Sequence, residues 1–293
     1  MEDAARLLQL IVNGAAAGCI YGLIALGFVL IYKATEMVNF AQGEIMMLGA
    51  FVAYTLISHF GMSYWAGFLL AICITAVFGY LLDAVVLRRV IGQPQFAVVM
   101  LTLGLGFIFR AAAGIGWGYD PVGFNTPFTN RTVGAGSLIL GQDNVSIIVG
   151  TVVLCGILFV FFSKTRVGVA MQASSQNQLA AYYMGIPVRR IFSLIWAIAA
   201  GVAAIAGILL SPVSMIDVNM GFLGIKAFAA AVIGGFGSIP GSVIGGVLVG
   251  IVEQLAGYYL PVGFQEVTSN VVLLGMLILR PQGLFAERMG KRV

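Results

Sequence analysis

Three polar groupings in an otherwise apolar sequence offer groups that could do chemistry. Asn39, Gln42 and Glu44 crowd around Gly43 at the head of an apolar run, presenting two amides and one carboxylate. Lys226 and Glu253 stand on neighbouring apolar stretches, where they could pair inside a helix bundle. The third, Gly234-Gly-Phe-Gly-Ser-Ile-Pro-Gly241, has the glycine density of a phosphate cradle. It lacks the Lys-Ser/Thr ending that would reach phosphates and magnesium. We read it as a tight re-entrant turn built on Gly234, Gly235, Gly237, Pro240 and Gly241. Catalysis finds no support: there is no Walker-type motif, no metal-binding His pair and no G-x-S-x-G elbow. The expectation is a chain that is no enzyme and holds neither metal nor cofactor.

A charge buried in a bilayer costs about 2.5–3.5 kcal/mol on insertion scales, so each one needs a reason. For Asn39, Gln42 and Glu44 two placements qualify. Either they line a polar cavity at a broken helix, or they snorkel to the membrane surface. Asp83 and Arg110 fall near the ends of their apolar runs and are read as interfacial.

The elements that must position these residues follow from composition. Of 293 residues 60% are hydrophobic and 9% charged, with a mean hydropathy of +1.04. A soluble domain carries about 25% charged residues, so lipid rather than water must face most of this surface. Apolar runs of about 20 residues can cross a bilayer. Candidates are 8–32, 40–58, 64–87, 96–117, 145–163 and 191–211, then 241–260 and a marginal 267–279, whereas 226–236 is too short. The expected fold is therefore all-α, one polytopic membrane domain over residues 1–293. Basic residues cluster at Lys33, Arg88–Arg89, Lys164 to Arg190 and Arg280 to Arg292, and Asp120, Asp143 and Asp217 lie in the alternate connections. That is the positive-inside pattern rather than a nucleic-acid patch. It places residues 119–144 outside as a long loop and 164–190 inside as a partly helical segment. It also demands an odd number of crossings, seven if 226–260 is a broken hairpin and nine if both halves cross. Gly14, Gly18 and Gly22 recur every fourth residue, as do Gly237, Gly241 and Gly245, which lets backbones approach closely within one subunit or at a dimer seam.

Val38-Asn-Phe-Ala-Gln-Gly-Glu44, Gly185-Ile-Pro187, Lys226 to Gly241 and Arg280-Pro-Gln-Gly-Leu284 together resemble the permeases of branched-chain amino-acid ABC importers, nearest the smaller, H-type subunit. The likeness covers essentially the whole chain. It implies about eight spans, seven to nine by the count above, in a bacterial inner membrane. The implied partners are a second related permease (heterodimer or homodimer), two cytoplasmic ATPase subunits that use the ATP, and a periplasmic binding protein. Ala173 to Gly185 would be the segment docking on the ATPase, with Gln178, Ala180, Ala181 and Met184 in the contact. Here Ser175-Gln-Asn-Gln178 stands where relatives commonly place acidic residues and a lysine, and Gln42 where many have histidine. Cargo implied by the family includes branched-chain amino acids, urea, short amides and aromatic acids. The alternative is a self-contained secondary transporter or channel, for which Glu44, Glu253 and Glu266 would be the coupling carboxylates.

Overall fold

Helix ends in this protein are written by short polar residues, glycine and proline. The side chains of Thr165, Asn177 and Ser238 accept hydrogen bonds from the N–H groups of Gly168, Ala180 and Gly241, capping three helices. In the computed structural model, residues 2–90, 93–129, 132–135 and 138–285 are described. The apolar runs between the caps become α1 (Glu2–Thr35), α2 (Gln42–Tyr54), α3 (Tyr64–Val85), α4 (Gln95–Trp117) and α5 (Gln142–Lys164). They continue as α6 (Arg166–Gln176), α7 (Gln178–Tyr183), α8 (Val188–Leu210), α9 (Leu223–Gly234), α10 (Ile239–Tyr259) and α11 (Phe264–Leu279). Apart from these helices, β1 (Thr132–Ala135) and β2 (Leu138–Gly141) pair antiparallel inside the expected outer loop, and α5 starts before that loop was expected to end.

Contacts between remote residues identify the two ends of the bundle. At one, the Arg88 guanidinium donates to the Arg189 carbonyl, Gln178 Nε2 to the Ala34 carbonyl and Lys33 Nζ to the Gly237 carbonyl. This basic end carries α6 and α7. At the other, Asn144 donates to Asn13, Trp117 to Thr55, and Val122 bridges Ile216. Among the described residues six helices are long and apolar enough to cross a bilayer: α1, α3, α4, α5, α8 and α10. Three shorter stretches, 36–59, 211–234 and α11, also lead from one end to the other. Among the described residues that makes nine passages between the two ends, an odd number, as the charge pattern asks. The C-terminal cluster of Arg288, Lys291 and Arg292 lies outside the described residues.

Run 40–58 is not the uniform span expected. α2 has only 13 residues and is prolonged by a π-helical turn, Thr55–His59. The non-helical residues 36–41 carry the chain from the basic end to its start. The broken segment expected near 226–241 is likewise a half-helix, α9, with 12 residues. Its irregular backbone lies upstream, in 211–222.

α1 is the central helix, flanked by α10, α8, α9 and α5. Its crossing with α10 brings backbones together: a Cβ on Gly18 would fall 2.6 Å from the Gly246 carbonyl oxygen and from Val247 Cα. The Gly14–Gly18–Gly22 repeat therefore serves packing within the subunit. α3, α4 and α5 keep broad apolar faces exposed, including Leu69, Val77, Phe96, Phe107, Val152 and Phe159. In a bilayer such faces meet lipid or another membrane subunit. Asp83 lies near the end of α3 at the basic end of the bundle, as expected, but it is covered by protein rather than open to solvent. It is 1% exposed, accepts a 2.6 Å hydrogen bond from Ser193 on α8, and lies 3.7 Å from Arg88.

Candidate translocation site

The start of α2 lies halfway through the bundle because its polar residues find partners there. Gln42 Nε2 donates to the Ala199 carbonyl at 3.1 Å, in the middle of α8, and the side chain fills the space beside Gly27 of α1. Asn39 donates to Gln42 Oε1 at 3.1 Å and accepts from the Ala41 N–H at 3.1 Å. Thr102 of α4 accepts from the Phe40 N–H. Both amides are essentially inaccessible. Internal partners thus hold the non-helical stretch against neighbouring helices, and the surface placement is excluded.

Glu44, in the first turn of α2, takes a different role. Its Oε1 accepts from Arg110 Nη2 at 2.7 Å. Gly106 of α4 and Gly221 leave room for the carboxylate; a Cβ on Gly221 would stand 2.9 Å from Oε1. Arg110 lies 3.9 Å over the Phe222 ring, a cation–π contact. Arg110 is therefore not interfacial but bound to Glu44, which corrects the reading of it as a span-end residue. The signal in the sequence was its unpaired charge inside run 96–117: a lone arginine there needs a carboxylate, and only a few exist. Alongside the pair lies a cavity of about 110 Å³ lined also by Phe28, Phe40 and Phe222. α9 begins against this same place, Gly224 touching Gly43. The two half-helices thus meet N-terminus to N-terminus, and the positive ends of both dipoles suit a nearby anion.

Lys226 and Glu253 are brought together as a second ion pair, between α9 and α10. Glu253 is 4% exposed, and the Lys226 ammonium lies 5.9 Å from the Tyr21 ring centre. Each half-helix therefore contributes one charge, matched by a full-length helix with opposite polarity. Phe228, two residues beyond Lys226, packs on Phe28 and Phe40 of the cavity wall.

Gly234, Gly235, Gly237, Pro240 and Gly241 do form a tight turn, at the basic end of the bundle. Gly235 has φ +101°, Pro240 is in the first turn of α10, and Gly234 packs on Gly241. The Arg280–Leu284 stretch docks there, Leu284 N–H donating to the Ile233 carbonyl at 2.8 Å and Phe285 N–H to Gly234 at 3.1 Å.

The segment 173–185 folds as the end of α6 followed by α7. α7 closes with Gly185 at φ +82°, whose N–H donates to Tyr182, while the Ile186 N–H donates to Ala181. This is a Schellman stop. Gln178, Ala180, Met184 and Gly185 are exposed, Ala173 is half-buried, and Ala181 is buried against the chain's own helices. Reading the sequence alone missed that Leu179, Tyr182 and Tyr183 form, with Met184, an exposed apolar tip.

Comparison with known proteins supplies context for this geometry. Residues 10–280 match the family described as "Branched-chain amino acid transport system / permease component". The chain is 32% identical over 302 aligned positions to the high-affinity branched-chain amino acid transport system permease protein LivH of Salmonella typhimurium, covering 98% of this chain and 97% of that one. It is also 32% identical to the corresponding permease protein BraD of Pseudomonas aeruginosa, with 98% of each covered. Among solved structures it resembles PsaBC from Streptococcus pneumoniae in complex with Fab, with a TM-score of 0.50 and 14% identity over 92% of this chain and 91% of that one. That likeness concerns the fold alone.

Proposed function

The chain belongs to the branched-chain amino acid transport permease family, and from that premise we propose how it works. It is a multi-pass transmembrane permease subunit of an ABC importer for branched-chain amino acids or a related small solute. ATPase subunits supply the energy and a substrate-binding protein supplies the cargo. The observation that carries this reading is the family match along residues 10–280 together with identity to transport permeases over 98% of the chain.

The finer assignment is an importer in a bacterial inner membrane. This chain pairs with a second, related permease, and two ATPases bind from the cytoplasm. The basic end faces the cytoplasm, and α7 is the handle that the ATPase grips. Its exposed Leu179, Tyr182, Tyr183 and Met184, carried on a capped and stopped helix, support that role. Closure of the ATPase dimer would move α6 and α7, and through them α1 and α8, against which α6 packs. The half-helices α2 and α9, each tied to one of those moving helices, would open or shut the middle of the pathway.

Ala180→Trp and Tyr183→Asp test the handle. Both positions are exposed, so the permease should accumulate normally while ATP-driven uptake falls at least tenfold. Ala181 is unsuitable, because a bulky residue there would disrupt the segment's own packing. Unchanged uptake in both variants would contradict the assignment.

A further inference from the structure

We propose that Glu44 and Arg110 form a subsite for the charged head of a zwitterionic α-amino acid, Arg110 receiving the carboxylate and Glu44 the ammonium group. The assignment rests on the permease reading above and adds to it a place where cargo is held in transit.

The pair lines a cavity rather than sealing one. About 110 Å³ lies beside it, enough for a small polar head. The guanidinium is also underused. Nη2 donates to Glu44, but Nε is buried and has no acceptor. A donor withdrawn from water without a partner is rare in folded proteins, and those that occur call for an explanation. A carboxylate bound by the planar fork would supply that acceptor, since guanidinium and carboxylate match two donors to two oxygens. Phe222 beneath the guanidinium fixes its plane. The remaining walls, Phe28, Phe40, Leu103 and Phe107, suit a hydrocarbon side chain.

Charge balance selects the ligand class. A singly charged solute would neutralise one member of the pair and strand the other. A sugar would bring hydroxyls but nothing to compensate either charge. A zwitterion can share the Glu44–Arg110 contact and add an opposite charge to each partner, leaving the cavity neutral throughout. Such a site needs to be only moderately strong, because cargo must leave it.

The test uses the complete importer in proteoliposomes, with leucine as the probe. The double variant Glu44→Gln/Arg110→Gln removes both charges together. Its assembly with the partner subunits, checked by size-exclusion yield, should match the wild type, while leucine uptake drops at least tenfold. Gly104→Ala, at an open position on the same helix, serves as the control and transports normally. A pair that merely fastens α2 to α4 predicts uptake within twofold of wild type in the double variant, since neutralising both partners leaves no stranded charge. That result would overturn the subsite. Should the double variant fail to assemble, Arg110→Lys decides: it keeps the ion pair but loses the fork. A tenfold rise in the leucine concentration giving half-maximal uptake supports the subsite, and an unchanged value overturns it. Failure of the permease reading is seen separately, as absence of leucine uptake by the wild-type importer.

Discussion

At the scale of single residues, buried charges decide most of what is particular to this chain. Lys226 and Glu253 are paired between α9 and α10 with little access to water. Removing one partner of a buried pair strands the other, which typically costs about 3–5 kcal/mol. Glu253→Gln should therefore lower thermal stability in detergent by an amount near the bottom of that range, because Lys226 keeps 23% of its side chain exposed. Adding Lys226→Met should recover most of the loss. If the two losses simply add, the residues do not interact. The possibility of this pair was legible, since Lys226 and Glu253 are among very few charges in apolar runs. The pairing of Arg110 with Glu44 was not, because they stand 66 positions apart and nothing local links them. Asn39 and Gln42 were visible as costly amides, but their partners, the Ala199 carbonyl among them, belong to the fold.

Elements tell a similar story one level up. Long apolar helices announce themselves by composition, and the runs read from sequence agree with α3, α4, α5, α8 and α10 to within three residues, while α1 begins six residues before its run. Half-helices do not. Run 40–58 is apolar on average despite Gln42 and Glu44, so a hydropathy window passes over the point where α2 begins. Only Gln42-Gly43-Glu44 hints at the break. For glycine, spacing gave the small face of α1 but could not name its partner. That partner, α10, makes a specific demand: at Gly18 and Gly250 any side chain would press on opposing backbone. Overpacking of this kind costs about 1–3 kcal/mol even when neighbours can shift, and backbone shifts less readily than side chains. Gly18→Leu should thus sharply reduce folded permease in membranes, by fluorescence-detected chromatography, whereas Gly104→Ala should be neutral. Equal yields from both would mean that the α1–α10 crossing is looser than described.

On the scale of the whole molecule, the proposed function requires that lipid surround most of the chain while one end offers the ATPase a grip. Broad apolar faces on α3, α4 and α5 meet the first demand, and the α6–α7 projection at the basic end meets the second. Between them, α2 and α9 bring both half-helix starts and both ion pairs into the middle of the bundle, where a pathway must be controlled. No Walker-type motif occurs in this sequence, and the proposed function has energy enter through other subunits. The most direct test is uptake of labelled leucine into liposomes holding either this chain alone or the full set of permeases, ATPases and binding protein. The account predicts accumulation only with the full set and only with ATP. Accumulation by this chain alone, with no ATP present, would contradict it and point to ion-coupled transport instead.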